Sequence, residues 1–314
     1  MFDILSALVV ILGLVVFEVV NSVDNAIVNA YVLKTMSAKW RRIFLIWGMF
    51  FAVFVVRGVL PFLVVWLTVP GIGFAEAFHA MFSSSPEVAE AIEAGRPLIL
   101  MGAGVFLFLL YLHWLFLEEK KPFYWLDRVV KPHYGIWFFG FAAIMLVGLL
   151  YAASYNPMLM LSAAIGNAAF FILYGFREQA EKQSERLMKG AGSMGDLSKL
   201  LYLEVLDMSF SFDGVLGAFA FTTSVPLILI GNGIGALVVR EMTLRSVDRV
   251  ALYRYLKNGA MTSIGILGLV IVYESFGHEL PEFLPTLVTL FFVGFAFWKS
   301  HKLIKIRPVP VPSR

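Results

Sequence analysis

The chain has 314 residues, of which 60% are hydrophobic and 15% are charged, and its formal net charge at pH 7 is +3. Soluble domains are closer to ~45–50% apolar and ~25% charged, so this composition excludes an ordinary soluble domain and indicates a polytopic membrane protein. Cysteine is absent, which excludes disulfides, thiolate metal ligands and thiol redox chemistry.

Apolar runs of helical length predict nine membrane spans, each long enough to cross a hydrocarbon core of ~30 Å. The fold class that we expect is therefore all-α, a polytopic transmembrane helical bundle. In chain order, the predicted spans cover residues 4–33, 43–67, 98–117, 136–153, 158–176, 200–221, 226–239, 260–274 and 283–298.

The basic residues between these spans predict the orientation of the chain. Placing the N-terminus outside puts 22 of the 25 lysines and arginines on the inner side, as the positive-inside rule requires. We expect a multi-pass protein of the cell (inner) membrane with its C-terminus in the cytoplasm. The predicted organisation is a first transmembrane half at residues 1–176, a cytoplasmic linker at 177–199, a second half at 200–306 and a disordered tail at 307–314.

Spans one and six contain the same polar pattern: an acid, a serine four residues later, an aspartate two residues further, and then a small or amide residue. An arginine follows each copy in the next span, at Arg57 and Arg240. Because five spans separate the copies, the two motif helices should run in opposite directions, which indicates an inverted-topology repeat with a site near the membrane midplane. The first copy is Glu18, Ser22, Asp24 and Asn25, and the second is Asp207, Ser211, Asp213 and Gly214.

Helical geometry constrains how each copy could bind an ion. At 100° per residue, the two acids of a copy point about 120° apart, so one small ion would contact both only if the helix were unwound. We therefore expect breaks in helices 1 and 6, near residues 22–25 and 209–214, unless the two acids of a copy have different roles.

The chemistry of the polar side chains predicts the ligand class. Ionisable groups at mid-helix cost ~2.5–3.5 kcal/mol each to insert, so they are functional by default and need a counter-ion, a proton or a metal. Carboxylate, amide and hydroxyl oxygens suit hard cations such as Mg²⁺, Ca²⁺ and Mn²⁺. The candidate metal ligands are Glu18, Asp24, Asn25, Asp207, Ser211 and Asp213, with Asn21, Ser22, Arg57, Glu204 and Arg240 in supporting or gating roles.

Several further expectations follow from this pattern. Loss of the ion would leave crowded carboxylates that take up protons, which predicts metal/proton exchange. The partners that we expect are the lipid bilayer and a divalent metal ion as substrate, with no prosthetic group, no nucleic acid and no enzyme activity. Asn156, Asn167 and Asn232 are intramembrane amides that could add ligands, although we expect them to form interhelical hydrogen bonds.

At these residues the sequence resembles the TerC family of integral membrane proteins, over two short blocks and the helix after each. The resemblance implies a multi-pass transporter-like fold, an oxygen-ligand metal site built from both motifs, and manganese efflux, so Mn²⁺ exported from the cytoplasm is favoured over Ca²⁺ or Mg²⁺. Two positions depart from the family pattern: Gly214 replaces a serine, and Asn21 stands where leucine is common. The family pattern Glu-x3-Ser-x-Asp-Asn is matched by Glu18, Ser22, Asp24 and Asn25, and Glu-x2-Asp-x2-Phe-x2-Asp-Ser by Glu204, Asp207, Phe210 and Asp213.

Two other functions fit part of the pattern. The first is a membrane scaffold in which acid–arginine pairs only lock helices together. The second is an intramembrane aspartyl protease with Asp24 and Asp213 sharing a proton. The protease alternative lacks the glycine-x-glycine-aspartate type of signature and leaves the acids Glu18, Glu204 and Asp207 without a role.

Overall fold

The computed structural model describes residues 4–48, 50–51, 55, 57–68, 71–80, 86–123, 130, 135–188, 195–245 and 252–306. Within these ranges all regular structure is helical, which confirms the predicted all-α bundle. The helices are α1 Ile4–Asn21, α2 Val23–Lys34, α3 Ala38–Ile43, α4 Arg57–Thr68, α5 Phe74–Ala80, α6 Pro86–Leu117, α7 Gly135–Ala152, α8 Pro157–Met188, α9 Asp196–Ala218, α10 Val225–Arg245, α11 Leu256–Ser275 and α12 Leu284–Ile306, with a π-helix at Phe44–Gly48 between α3 and α4.

Seven helices in the described ranges are long and apolar enough to cross a membrane: α1, α6, α7, α8, α10, α11 and α12. They coincide with seven of the nine predicted spans. The sixth predicted span corresponds to α9, which has 23 residues but carries the acids of the second motif. The second predicted span is divided among α3, the π-helix and α4, and residues 49, 52–54 and 56 lie outside the described part of the chain.

Contacts along α1 show the relative directions of the two motif helices. Residues further along α1 contact residues that come earlier in α9. The two helices are therefore antiparallel, as an inverted repeat requires. Helix α10 instead runs parallel to α1, because Leu14 faces Gly231 and Glu18 faces Gly235. In order along α1, the contacts with α9 and the residues just after it are Gly13 with Phe221, Phe17 with Gly217 and Glu18 with Gly214.

Helix α6 forms the centre of the bundle, and glycines allow its neighbours to approach closely. A Cβ on Gly104 would lie 2.9 Å from the carbonyl oxygen of Gly268 in α11, and a Cβ on Gly166 in α8 would overlap the backbone of Gly102. Lipid supplies no hydrophobic driving force between helices, so small residues that permit close contact determine which helices pack together. By contrast, only 11% of α7 is buried, as expected for a helix that faces lipid.

Of the two predicted helix breaks, the one at the first motif is reduced to a single-residue interruption and the one at the second motif is absent. Helices α1 and α2 are separated only by Ser22, and backbone hydrogen bonds from Ser22 to Glu18 and from Ala26 to Ser22 continue across it. Helix α9 is continuous through the second motif, so the break predicted near residues 209–214 is wrong. Backbone groups at membrane depth need internal partners, and the unbroken helix supplies them.

The predicted linker between the two halves is partly helical. Helix α8 extends to Met188, well into the segment 177–199, and α9 already begins at Asp196. Residues 189–194 and the predicted tail at 307–314 lie outside the described part of the chain.

Candidate ion site between the two acidic motifs

Arg57 connects the first acids of the two motifs. Its Nη2 donates a hydrogen bond of 2.6 Å to Oε1 of Glu18, and its Nη1 lies 3.8 Å from Oδ2 of Asp207. The Glu18 and Arg57 side chains are 1% and 7% exposed, so this ion pair is shielded from solvent. The first residue of α4 therefore places a counter-ion between α1 and α9, which fits the supporting role predicted for Arg57.

The serines of the two motifs form different hydrogen bonds despite their identical spacing. Ser22 Oγ donates to Oε1 of Glu18 over 2.9 Å, whereas Ser211 Oγ donates to the backbone carbonyl of Asp207 over 2.7 Å. Oε1 of Glu18 thus accepts from both Ser22 and Arg57. The Ser211 hydroxyl keeps lone pairs available to accept a hydrogen bond or to contact a cation.

One polar residue from each motif lines a shared cavity. Asn21 of α1 and Asp213 of α9 line a cavity of ≈ 20 Å³ together with Met261, Glu118 and Lys257. This volume holds about one water molecule. Asp213 is buried, whereas Glu118 and Lys257 are partly exposed and form an ion pair of 2.6 Å. The ion pair marks the end of the bundle where α6 ends and α11 begins.

The carboxylate of Glu18 lies in a narrow space between α9 and α10. A Cβ on Gly214 would lie 2.5 Å from Oε2 of Glu18, and a Cβ on Gly235 would lie 2.6 Å from the Glu18 Cβ. The amide nitrogen of Asn232 lies 3.5 Å from the Gly214 carbonyl oxygen, which confirms the predicted interhelical hydrogen bond. We call the space bounded by Glu18, Gly214, Asn232 and Gly235 the three-helix junction.

Buried oxygens without hydrogen-bond partners concentrate on the motif helices and their neighbours. Within the described residues, each buried side-chain nitrogen or oxygen that lacks a partner is an oxygen acceptor: Glu18 Oε2, Asn29 Oδ1, Glu204 Oε1 and Asn232 Oδ1. Buried polar groups in native structures are normally hydrogen-bonded, so each exception calls for a donor, a water or a cation. These four oxygens therefore have no hydrogen-bond donor among the described residues.

Several predicted site residues are not part of this arrangement. Oε1 of Glu204 lies against Gly48 of the π-helix, and Glu204 does not line the cavity. Arg240 is half-buried and forms no ion pair with the described residues, unlike Arg57. The side chains of Asp24 and Asn25 lie outside the described residues, although their backbone belongs to α2.

No group of three or more histidine, aspartate or glutamate side chains in the described ranges is close enough to hold a metal ion. A cation would therefore need amide, hydroxyl or backbone oxygens in addition to carboxylates. Glu118 and Lys257 were not among the predicted site residues, and Asn232 was named only as an amide that could add a ligand. For Asn232 the available signal was its position within the glycine-rich segment IGNGIGA, while Glu118 and Lys257 have the sequence pattern of ordinary span-end charges.

The family described as "Protein of unknown function (DUF475)" matches residues 23–306, which is most of the chain. The chain belongs to the DUF475 family. The DUF475 match includes the second motif, both intramembrane arginines and all cavity residues that follow Val23, whereas Glu18 and Ser22 precede it.

One curated relative is the "Uncharacterized membrane protein YceF" of Bacillus subtilis (strain 168). The two sequences are 28% identical over 120 residues, which is 37% of this chain and 46% of YceF. The chain therefore spans less than half the length of this relative. No solved structure shows a significant match. YceF is described as a membrane protein, and the apolar helices of this chain indicate a polytopic one.

Proposed function

We propose that this DUF475 protein transports a hard divalent cation across the membrane through a site between its two antiparallel motif helices. The observation that carries the proposal is that Asn21 and Asp213, one from each motif, line one small cavity inside the bundle. Secondary transporters with inverted repeats bind their substrates at such a place, near the midplane and between the repeats.

The charges around the cavity support a cation as the substrate. Asp213 lines the cavity, and Arg57 lies between Glu18 and Asp207, the first acids of the two motifs. The carboxylates of Glu18 and Asp207 outnumber the single arginine, Arg57, and Asp213 adds a third acid. An excess of acids over arginines at membrane depth is costly, and a divalent cation would reduce that excess of negative charge.

The residue types support a hard cation rather than zinc or copper. Carboxylate, amide and hydroxyl oxygens dominate both motifs, and no histidine of the described ranges lines the cavity. Oxygen ligands suit Mg²⁺, Ca²⁺ and Mn²⁺, whereas zinc and copper are better served by imidazole and thiolate. The resemblance of the two motifs to the TerC family favours Mn²⁺ among these ions, with export from the cytoplasm as the direction.

Protons are the coupling ion that we propose. When the cation leaves, the carboxylates at the site would repel one another, and uptake of a proton by Asp213 would relieve that repulsion. The partly exposed pair of Glu118 and Lys257 gives the cavity a route toward one membrane face. In the orientation expected from the basic loops, that face is the cytoplasm.

A membrane scaffold remains the second candidate function, and one observation favours it. Arg57 already pairs with Glu18 and Asp207, so part of the buried charge is compensated without any ion. A scaffold would need no substrate, and removing the charge of Asp213 would affect only its packing. Transport assays therefore separate the two functions.

The decisive experiment measures flux of Mn²⁺, Ca²⁺ and Mg²⁺ in proteoliposomes, with and without a pH gradient. We expect Mn²⁺ flux that Asp213→Asn and Asp24→Asn each abolish. Glu274→Gln is the matched control, because Glu274 is a half-buried acid of α11 that does not line the cavity. If the wild-type protein transports none of the three ions, the transport proposal is wrong. If it transports an ion at the same rate with and without a pH gradient, only the proton-exchange part is wrong.

A further inference from the structure

Asn232 reaches the three-helix junction from α10, with a carbonyl oxygen that has no hydrogen-bond partner. Its side chain is 1% exposed, and its Nδ2 is directed at the Gly214 carbonyl oxygen 3.5 Å away. That contact fixes the orientation of the amide, because a flipped amide would set two oxygens against each other. Oδ1 is therefore held as an acceptor that a donor or a cation must satisfy.

Glu18 presents a second unsatisfied oxygen to the same junction from α1. Its Oε2 lies 2.5 Å from the Cβ position of Gly214, and its own Cβ lies 2.6 Å from the Cβ position of Gly235. Gly235 follows Asn232 by three residues, so the two share one face of α10. The two orphaned acceptors, Glu18 Oε2 and Asn232 Oδ1, thus border one junction from two helices.

The two groups do not satisfy each other, because both free atoms are acceptors. The other Glu18 oxygen already accepts from Ser22 and Arg57, so the ion pair does not account for Oε2. A single positive species would satisfy both oxygens at once. Glycine at position 214 keeps any side chain of α9 away from Glu18 Oε2, because a Cβ there would lie 2.5 Å from that oxygen.

We propose that Glu18 Oε2 and Asn232 Oδ1 are ligands of the transported cation, and that Asn232 is a specificity-determining residue of the site. This inference rests on the proposed function and extends it to a third helix, α10. A neutral amide oxygen beside a carboxylate is a ligand pair for a hard divalent cation. It also supplies coordination without adding a negative charge to the membrane interior.

The test is direct binding of Mn²⁺ to the purified full-length protein in detergent, by calorimetry and by metal-dependent thermal stabilisation. We expect Asn232→Leu to weaken Mn²⁺ binding by about tenfold or more, since loss of even a group that only supports a ligand typically costs about 10–100-fold in metal affinity. Asn232→Asp keeps the shape and an oxygen and adds a negative charge, so we expect tighter binding. The aspartate variant carries the test if the leucine variant does not fold.

Asn258 provides the matched control. It is a buried asparagine at 3% exposure whose Nδ2 donates to the Lys121 carbonyl oxygen, so Asn258→Asp makes the same chemical change away from the junction. We expect Mn²⁺ affinity in this variant to equal that of the wild type. If the wild-type protein binds Mn²⁺ and both Asn232 variants bind it with the same affinity, the inference about Asn232 is wrong and the proposed function still stands. Wild-type protein that binds none of Mn²⁺, Ca²⁺ and Mg²⁺ would overturn the proposed function as well.

Discussion

Arg57 and Glu18 form a buried ion pair, with 2.6 Å between Nη2 and Oε1, at the point where the two acidic motif helices meet. The same guanidinium lies 3.8 Å from Asp207, the residue of the second motif that corresponds to Glu18. One arginine thus stabilises both copies of the repeat. Its counterpart in the second half, Arg240, forms no ion pair within the described residues, so the two halves are alike in sequence but not in bonding.

Substitution of Arg57 should be far more costly than substitution of Arg240. Arg57→Gln leaves the Glu18 carboxylate buried without a counter-ion, and loss of one partner of a buried pair typically costs about 3–5 kcal/mol. Arg240→Gln should cost less than about 1 kcal/mol, as for a position without a paired charge. Chemical unfolding of the two purified variants in the same detergent measures the difference.

A second substitution checks the cause of the Arg57 effect. In Arg57→Gln combined with Glu18→Gln, no buried charge remains at this position, so the double variant should regain part of the lost stability. Equal losses for Arg57→Gln and Arg240→Gln, or no recovery in the double variant, would contradict the role assigned to this ion pair.

Glycine at position 214 should be required by the Glu18 side chain. The methyl group of Gly214→Ala would lie 2.5 Å from Oε2, and overpacking of this kind costs about 1–3 kcal/mol. Gly233→Ala, in the neighbouring helix α10, is the control because nothing lies within 4 Å of the new Cβ. Thermal unfolding should show a loss for Gly214→Ala and none for Gly233→Ala.

Shortening the acid tests the same contact from the other side. Glu18→Asp removes one methylene and withdraws the carboxylate from α9, so Gly214→Ala should cost less stability in a Glu18→Asp background than in the wild type, whatever Glu18→Asp itself loses through its weakened pair with Arg57. A Gly214→Ala protein as stable as the wild type would show that α9 and Glu18 are not in close contact.

Sequence reasoning predicted the helix directions and the meeting of the motifs, because both depend on features repeated along the chain. The segregation of basic residues between the spans predicts that successive spans alternate in direction. The identical acid–serine–aspartate spacing predicts which residues of the two motifs correspond to each other. The continuous helix α9 was not predicted, because acids and a glycine suggest unwinding, while the membrane favours an intact backbone ladder. The packing of Asn232 against Gly214 depends on how α9 and α10 dock, which no local pattern encodes.

The contact between Asp196 and Ser37 should weaken in acid. Asp196 accepts hydrogen bonds from the Ser37 hydroxyl at 2.5 Å and from the Ser37 amide at 3.3 Å, and the hydroxyl bond lowers the pKa of Asp196 below its ordinary value. A lowered folded-state pKa means that this contact stabilises the fold above the unfolded-state value of about 3.9, and that the stabilisation is lost as pH falls through the folded-state pKa.

Hydrogen exchange measured from pH 7 down to below the folded-state pKa of Asp196 tests this contact. The Ser37 amide should keep its protection at neutral pH and lose it in acid, after correction for intrinsic exchange rates. Asp196→Asn should remove the pH dependence and leave the Lys199 bond to the Thr35 carbonyl in place. Protection that does not change with pH in the wild type would contradict the assignment.

The cavity between the motifs should be reachable from one membrane face only. The natural chain has no cysteine, so a single introduced thiol reports accessibility without background. Met261→Cys places the thiol in the cavity lining, and Ala103→Cys places one in the core of α6, where Ala103 is 2% exposed. In proteoliposomes of defined orientation, a small charged thiol reagent should label the position 261 thiol from one side and leave the position 103 thiol unlabelled.

The ion pair at the cavity should control how fast the reagent enters. Glu118 and Lys257, 2.6 Å apart, both line the cavity, so Lys257→Ala should remove their mutual attraction and speed labelling at position 261. Mn²⁺ in the cavity should slow labelling in the same protein, because the ion would occupy the space beside Asp213. Labelling of the position 261 thiol from both sides at equal rates would mean that the cavity is not closed toward the second face. Faster labelling of the position 103 thiol in Lys257→Ala would instead indicate general loosening of the bundle.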